Sequence, residues 1–430
     1  MAEKPRQRAT RARRRGGLLD VPGEIGEIVA GAPAHHLSSQ TTPFLPRGAT
    51  KARRPRRRPE FDCIALILQG GGALGAYQAG VYEALAEAGL APDWVAGISI
   101  GSINAAIIAG NPPESRVAKL RAFWEGVTSS PLANGVLGLL APQGDAARAF
   151  VNRVSAAAAV ASGAAGFFQP RFPNPWLHPS GTIEATSYYD TTPLRATLEA
   201  LIDFDRINSE HGIRLSVGAV NVRSGNLTYF DTTIHTIGPA HVMASGALPP
   251  GFPAVEIEGE HYWDGGLVSN TPLQWIGANH PPDTLAFQVD LWNARGELPG
   301  TLAEVATRQK EIQYSSRTRF VTDQFKQLSD VHSSIANLLA ELPEEFKQSD
   351  DAQFLASVAR RRVYNIVHLI YRPSGYEGDA KDYEFSRRSM EDHWRAGYYD
   401  AVRTLRHDAV LERPTNETVV TFDLARDGRD

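Results

Sequence analysis

Two glycine-rich turns stand close together in the sequence, and each follows a short apolar run. Cys63-Ile64-Ala65-Leu66-Ile67-Leu68 leads into Gly70-Gly71-Gly72-Ala73-Leu74-Gly75, and Trp94-Val95-Ala96-Gly97-Ile98 leads into Ser99-Ile100-Gly101. Continuous apolar runs of this length suit strands buried on both faces, as in a parallel sheet. Between them Tyr77, Val81, Leu85 and Ala88 recur at helical spacing from Ala76 to Leu90, with Gly89 as a stop, and Ile103–Ala109 opens a second helix. Strand, helix, strand, helix is a βαβα unit whose crossover is expected to be right-handed. The fold this predicts is a three-layer α/β/α sandwich with a mainly parallel sheet.

The turns decide which chemistry such a unit carries. A phosphate cradle needs G-x-x-x-x-G-K-[ST], but Gly75 is followed by Ala76 and Tyr77, with no lysine to reach a phosphate. A dinucleotide site accepts Gly70-x-Gly72-x-x-Gly75 but wants an acidic residue at the end of the second strand. Asp93 precedes that strand, and Gly97-Ile98-Ser99-Ile100-Gly101 occupies its end. G-x-S-x-G between strand and helix is a nucleophile elbow, in which Gly97 and Gly101 permit a tight turn that exposes the Ser99 hydroxyl. The following helix aims its positive end at a developing alkoxide, and the triple-glycine loop offers unhindered N–H donors as an oxyanion hole.

A serine nucleophile needs a base. The most pointed candidate is Asp264 in Trp263-Asp264-Gly265-Gly266, preceded by the tight backbone of Ala244–Pro250 and followed by Asn270-Thr271-Pro272. Asn270 is expected to serve that turn. An exposed aspartate near pKa 3.9 is a weak base, so the role requires a desolvated pocket that raises it. Two rivals stand beside this reading. An α/β-hydrolase triad would draw on His280, His332, His368, His393 or His407, none in a telling context. A non-enzymatic membrane- or granule-surface adaptor on the same scaffold would leave Ser99 idle.

These motifs together resemble the patatin-like phospholipase family: Gly70-Gly71-Gly72 with Gly75, then the Ser99 elbow, then Asp264-Gly265-Gly266, over roughly residues 61–275. The resemblance implies a Ser–Asp dyad hydrolase of lipid acyl esters. In it Ser99 forms an acyl-enzyme, Asp264 is the base, and Gly70, Gly71, Gly72 and Ile100 supply oxyanion N–H groups. Leu74 departs from the arginine or lysine that many members carry there, which puts the headgroup in question. Residues 276–410 are similar to a mostly helical extension in a bacterial branch, with 411–430 as a tail.

Elsewhere, strand-like runs occur at Arg214–Val222, Leu227–Phe230, Leu285–Val289 and Val363–Tyr371. Helical patterns occur at Leu302–Leu342 and Ser386–His407. Residues 127–180, with Phe167, Phe168, Phe172 and Trp176, read as an insertion or lid able to form an acyl-chain channel. Residues 1–60 hold 14 Lys+Arg against 5 Asp+Glu, whereas the rest of the chain is net acidic. That arm, with Arg11, Arg13, Arg14 and Arg15 and then Arg53, Arg54, Arg56, Arg57 and Arg58, is expected to be disordered or to adhere to anionic lipid. The acidic body lacks the basic and aromatic interleaving of a nucleic-acid face, so no nucleic-acid partner is expected. The lone cysteine, Cys63, excludes an internal disulfide and suits a reducing compartment, so a cytoplasmic protein, peripheral at a lipid surface, is expected. No cluster has metal spacing, and neither metal nor cofactor is expected.

Overall fold

The computed structural model describes residues 57–129, 144–279, 281–359, 362–374, 376–378, 380–415 and 419–423. The two arginine clusters of the arm fall outside them except for Arg57 and Arg58, as do residues 130–143 of the expected lid. A nine-stranded sheet runs through the centre. Its strands are β1 (Cys63–Leu68), β2 (Trp94–Ile98), β3 (Arg214–Asn221), β4 (Leu227–Asp231), β5 (Val255–Ile257), β6 (Glu260–Asp264), β7 (Thr284–Asp290), β8 (Tyr364–Ile370) and β9 (Val419–Phe422). They lie in the order β9-β8-β7-β1-β2-β3-β6-β5, with β4 on β3. From β9 to β3 every pairing is parallel, and β4, β5 and β6 add the antiparallel end.

Alternation along β1 explains why both faces need cover. Ile64, Leu66 and Leu68 enter one apolar cluster, and Cys63, Ala65 and Ile67 enter another. The first cluster is closed by α1 (Ala76–Glu87), α2 (Ile100–Ala109), α3 (Arg116–Val127) and the last long helix, Arg387–Thr404. The second takes Leu273 and Ile276 from the helix Leu273–Ala278 and Phe325 from the long helix Leu302–Glu341. Helices therefore cover both sides of the sheet, and the expected sandwich is the fold observed. Gly80 and Gly397 let α1 and Arg387–Thr404 meet backbone to backbone: a Cβ on Gly397 would lie 2.0 Å from the Tyr77 carbonyl oxygen.

The region after residue 275 is more than a helical extension. It supplies β7, β8 and β9, and β7 pairs along the whole of β1 from Cys63↔Thr284 to Leu68↔Val289. Three of the six strands in the parallel half of the sheet are thus built from late sequence. Cys63 is buried, and burial pushes its thiol up to about 11, so it behaves as a small apolar side chain. Among the described residues no helix is long and apolar enough to cross a membrane.

Candidate active site

The elbow forms where β2 ends. Ser99 stands at φ 55° and ψ −126°, between Ile98 of the strand and Ile100, the first residue of α2. A non-glycine residue held there costs about 1–3 kcal/mol, so the surroundings must impose it. The Ser99 N–H donates to Ser245 Oγ at 3.0 Å, and the Ser245 hydroxyl donates to the Gly218 carbonyl at 2.7 Å. The Ser102 hydroxyl donates to the Ser99 carbonyl at 2.6 Å. The glycines two residues either side are required by contact. A Cβ on Gly97 would lie 2.4 Å from the Gly101 carbonyl oxygen, and one on Gly101 would lie 2.3 Å from that of Leu68.

Asp264 ends β6, whose register on β3 sets Ala219 opposite Asp264. Its carboxylate accepts the Gly266 N–H at 2.7 Å and shares the cavity with Ser99. The residue is only 2% exposed. Burial raises its pKa from 3.8 to about 7, and the Ser99 side chain and the Gly266 N–H offset only part of that rise. The weak base expected of an exposed aspartate is thereby tuned towards neutral pH, where general-base catalysis is most effective. Gly265 fits closely under β3: a Cβ there would lie 2.6 Å from the Gly218 carbonyl oxygen.

Around the glycine loop, one expectation needs correction. The Gly70 N–H donates to the Asn270 carbonyl at 3.2 Å, so Gly70 is not an oxyanion donor. Its own carbonyl accepts from Asn270 Nδ2 at 2.9 Å and from Trp292 Nε1 at 3.0 Å. In a trans peptide the next N–H points the opposite way, so this pair of donors turns the Gly71 N–H away from Asn270 and Trp292. Gly71, Gly72 and Ile100 line the cavity above Ser99, and among the described residues their N–H groups have no hydrogen-bond partner. Gln69 fixes the strand end, accepting from the Leu291 and Trp292 N–H groups at 2.6 and 3.0 Å while donating to Thr271 Oγ1 at 2.9 Å. From late sequence, the Asp382 carbonyl accepts the Ala73 N–H at 2.8 Å, and Lys310 holds the Asp382 carboxylate at 2.8 Å.

Sequence reasoning missed Gln69, Ser245, Trp292, Lys310 and Asp382, and expected of Asn270 only a turn role, whereas its side chain also holds the Gly70 carbonyl. None carries a local pattern, because each acts on a partner far away along the chain. Gly75 abuts the elbow, with a Cβ there 2.6 Å from Ile100 Cγ1. Leu74 is fully buried in the core and does not line the cavity, so its departure from the basic residue alters the loop's support rather than the pocket surface.

The cavity over Ser99 and Asp264 measures about 350 Å³ and has apolar walls. Phe167 and Phe168 of the expected lid meet Phe252 and Phe385 at ring-centroid distances of 5.2 to 5.9 Å. Phe172 and Trp176, expected beside them, project into solvent instead. A larger cavity of about 660 Å³ is lined by charged pairs such as Lys381–Glu311 and His393–Glu377 and contains neither Ser99 nor Asp264. Among the described residues no histidine lines the Ser99 cavity. His280 lies outside the described residues.

Sequence comparison agrees with this architecture. Residues 66–274 match the family described as patatin-like phospholipase, and residues 312–417 match a family described as patatin phospholipase. The chain belongs to the patatin-like phospholipase family. Among curated proteins it is 34% identical over 116 residues to patatin-like phospholipase domain-containing protein 7 of Mus musculus, covering 24% of this chain and 9% of that one. It is 44% identical over 73 residues to lysophospholipase nte1 of Aspergillus terreus, covering 17% of this chain and 4% of that one. The chain thus spans less than a tenth of the length of these relatives. The solved structure of VipD from Legionella pneumophila aligns over 89% of this chain and 77% of its own, at 14% identity and a TM-score of 0.35.

Proposed function

We propose that the protein is a serine acyl hydrolase that cleaves carboxylic esters of lipids through a Ser99–Asp264 dyad and an acyl-enzyme. The observation that carries this reading is Ser99, at a strained elbow, sharing an apolar cavity with the buried Asp264 carboxyl, whose pKa burial raises to about 7. Ser99 Oγ attacks the ester carbonyl carbon as its proton passes to Asp264. The carbonyl oxygen becomes an oxyanion between the N–H groups of Gly71, Gly72 and Ile100, at the positive end of α2. Collapse expels the alcohol, which takes the proton from Asp264 and leaves the acyl group on Ser99. Water then attacks the acyl carbon with Asp264 as base, releasing the carboxylic acid and restoring the serine. The aromatic walls suit an acyl chain.

The test is hydrolysis of a p-nitrophenyl ester chain-length series and of mixed phospholipid vesicles by wild type, Ser99→Ala and Asp264→Ala, with folding checked by circular dichroism. Loss of turnover in both folded variants is the expected result. Activity retained in Asp264→Ala but lost in Ser99→Ala would replace the dyad with another base. A wild type inert on every ester would favour the adaptor reading.

A further inference from the structure

Phe172, Trp176, Leu177 and Ile183 are exposed by 97%, 84%, 75% and 52% within one short excursion of the chain. Its neck is closed: Gln169 pairs with Asp190 and Pro170 with Tyr189, and the Arg171 N–H donates to the Tyr188 carbonyl at 3.0 Å. Beyond the neck the loop is ordered by its own hydrogen bonds. Asn174 Oδ1 accepts the Trp176 N–H at 3.2 Å, the Leu177 N–H reaches the Asn174 carbonyl at 2.9 Å, and the Thr186 hydroxyl reaches the Ile183 carbonyl at 2.8 Å. These apolar side chains are therefore held outward on a defined scaffold. From Phe172 to Ser187 the sequence holds no lysine or arginine, and its one carboxylate is Glu184.

The neck is also the wall of the catalytic cavity. Phe167, Phe168 and Tyr189 line it, and the N–H groups of Tyr188 and Tyr189 are bonded to the carbonyls of Pro250 and Gly251, two more lining residues. A patch of Trp, Phe, Leu and Ile joined through this neck to an apolar cavity is matched by the interface of a bilayer, where aromatic rings lie at headgroup level. We propose that the loop from Phe172 to Ser187 docks the protein on a neutral phospholipid surface and sets the catalytic cavity against it. The near absence of charge selects apolar insertion over attraction to anionic headgroups. Seated there, an acyl chain passes from the bilayer into the aromatic cavity without crossing water. The choice of a lipid partner rests on the acyl-hydrolase reading above.

The experiment separates the two. Full-length Ser99→Ala, which removes the proposed nucleophile, is co-sedimented with phosphatidylcholine vesicles, alone and combined with Phe172→Ser/Trp176→Ser. The loop variant is also made with Ser99 intact and assayed on a soluble short-chain p-nitrophenyl ester and on vesicles, with size-exclusion chromatography alongside. The proposal expects vesicle binding by Ser99→Ala to fall at least tenfold in the loop variant. With Ser99 intact, it expects vesicle hydrolysis to fall similarly while soluble-ester turnover and oligomeric state are unchanged. Binding that is absent, or equal with and without the loop substitutions, overturns it. A change in oligomeric state assigns the patch to a second copy of the chain and also overturns it. Loop-dependent vesicle binding in a protein inert on all esters sustains docking and refutes the hydrolase reading alone.

Discussion

Replacing Asp264 with asparagine keeps the shape of the dyad and removes its charge, which makes the cost of that charge measurable. Burial lifts the carboxyl pKa from 3.8 to about 7. At about 1.36 kcal/mol per pH unit, holding it ionised costs the fold at most about 4 kcal/mol above pH 7. The sign follows from proton counting. Between pH 4 and 7 the folded state holds a proton that the unfolded chain has lost, so this contribution to stability is present at low pH and disappears as pH rises through about 7. The Asp264→Asn variant lacks the dependence, and the Gly266 N–H can bond its amide oxygen. With an unfolding entropy of about 2.1 cal/mol/K per residue, the ceiling corresponds to a few degrees in Tm. Differential scanning calorimetry of both proteins at pH 5 and pH 8 should show Asn above wild type by about 3–4 °C more at pH 8 than at pH 5. Taking the difference between proteins cancels the other titrating groups. An offset equal at the two pH values would refute the assignment of a buried, near-neutral carboxyl to Asp264.

The same carboxyl predicts that kcat/KM for a soluble ester rises with pH through about 7 to a plateau; a pH–rate profile flat from 5 to 9 would count against it. Trp292→Phe removes one of the two side-chain donors on the Gly70 carbonyl and should lower kcat about tenfold with KM within about twofold, in steady-state assays. Gly101→Ala drives a Cβ to 2.3 Å from the Leu68 carbonyl oxygen and should cost more than about 3 kcal/mol. Gly126→Ala, on α3 with nothing within 4 Å among the described residues, should gain about 0.5–1 kcal/mol in the same thermal melts. Glu377→Gln leaves the buried His393 imidazole without its carboxylate at 3.1 Å and should destabilise the fold by about 3–5 kcal/mol in urea titrations.

What the sequence makes legible is what short-range geometry dictates. The contact that demands Gly101 comes from Leu68 at the end of β1, but the elbow could be read because Gly97 is demanded by a contact with Gly101 inside the same turn, and Asp264 because its turn is equally tight. Gly71, Gly72 and Ile100 are placed at the cavity for the same reason. The Gly70 assignment failed because the direction of its N–H is set by Asn270, two hundred residues later. Trp292, Lys310 and Asp382 were invisible for a related reason: they act on the early loop only because β7 pairs with β1, and an apolar run such as Leu285–Val289 announces a strand without naming its neighbour. The lid divided along the same line. Phe167 and Phe168 pack because Phe252 and Phe385 come to meet them, whereas Phe172 and Trp176 find no such partners among the described residues.

The central claim is that Ser99 is a nucleophile activated by Asp264, and covalent trapping tests it most directly. Wild-type protein treated with a fluorophosphonate at pH 8 and analysed by intact and peptide mass spectrometry should carry one adduct, on the peptide containing Ser99. Labelling should be absent in Ser99→Ala and slowed at least a hundredfold in Asp264→Asn. An unlabelled wild type, an adduct on another residue, or undiminished labelling of Asp264→Asn would contradict the account.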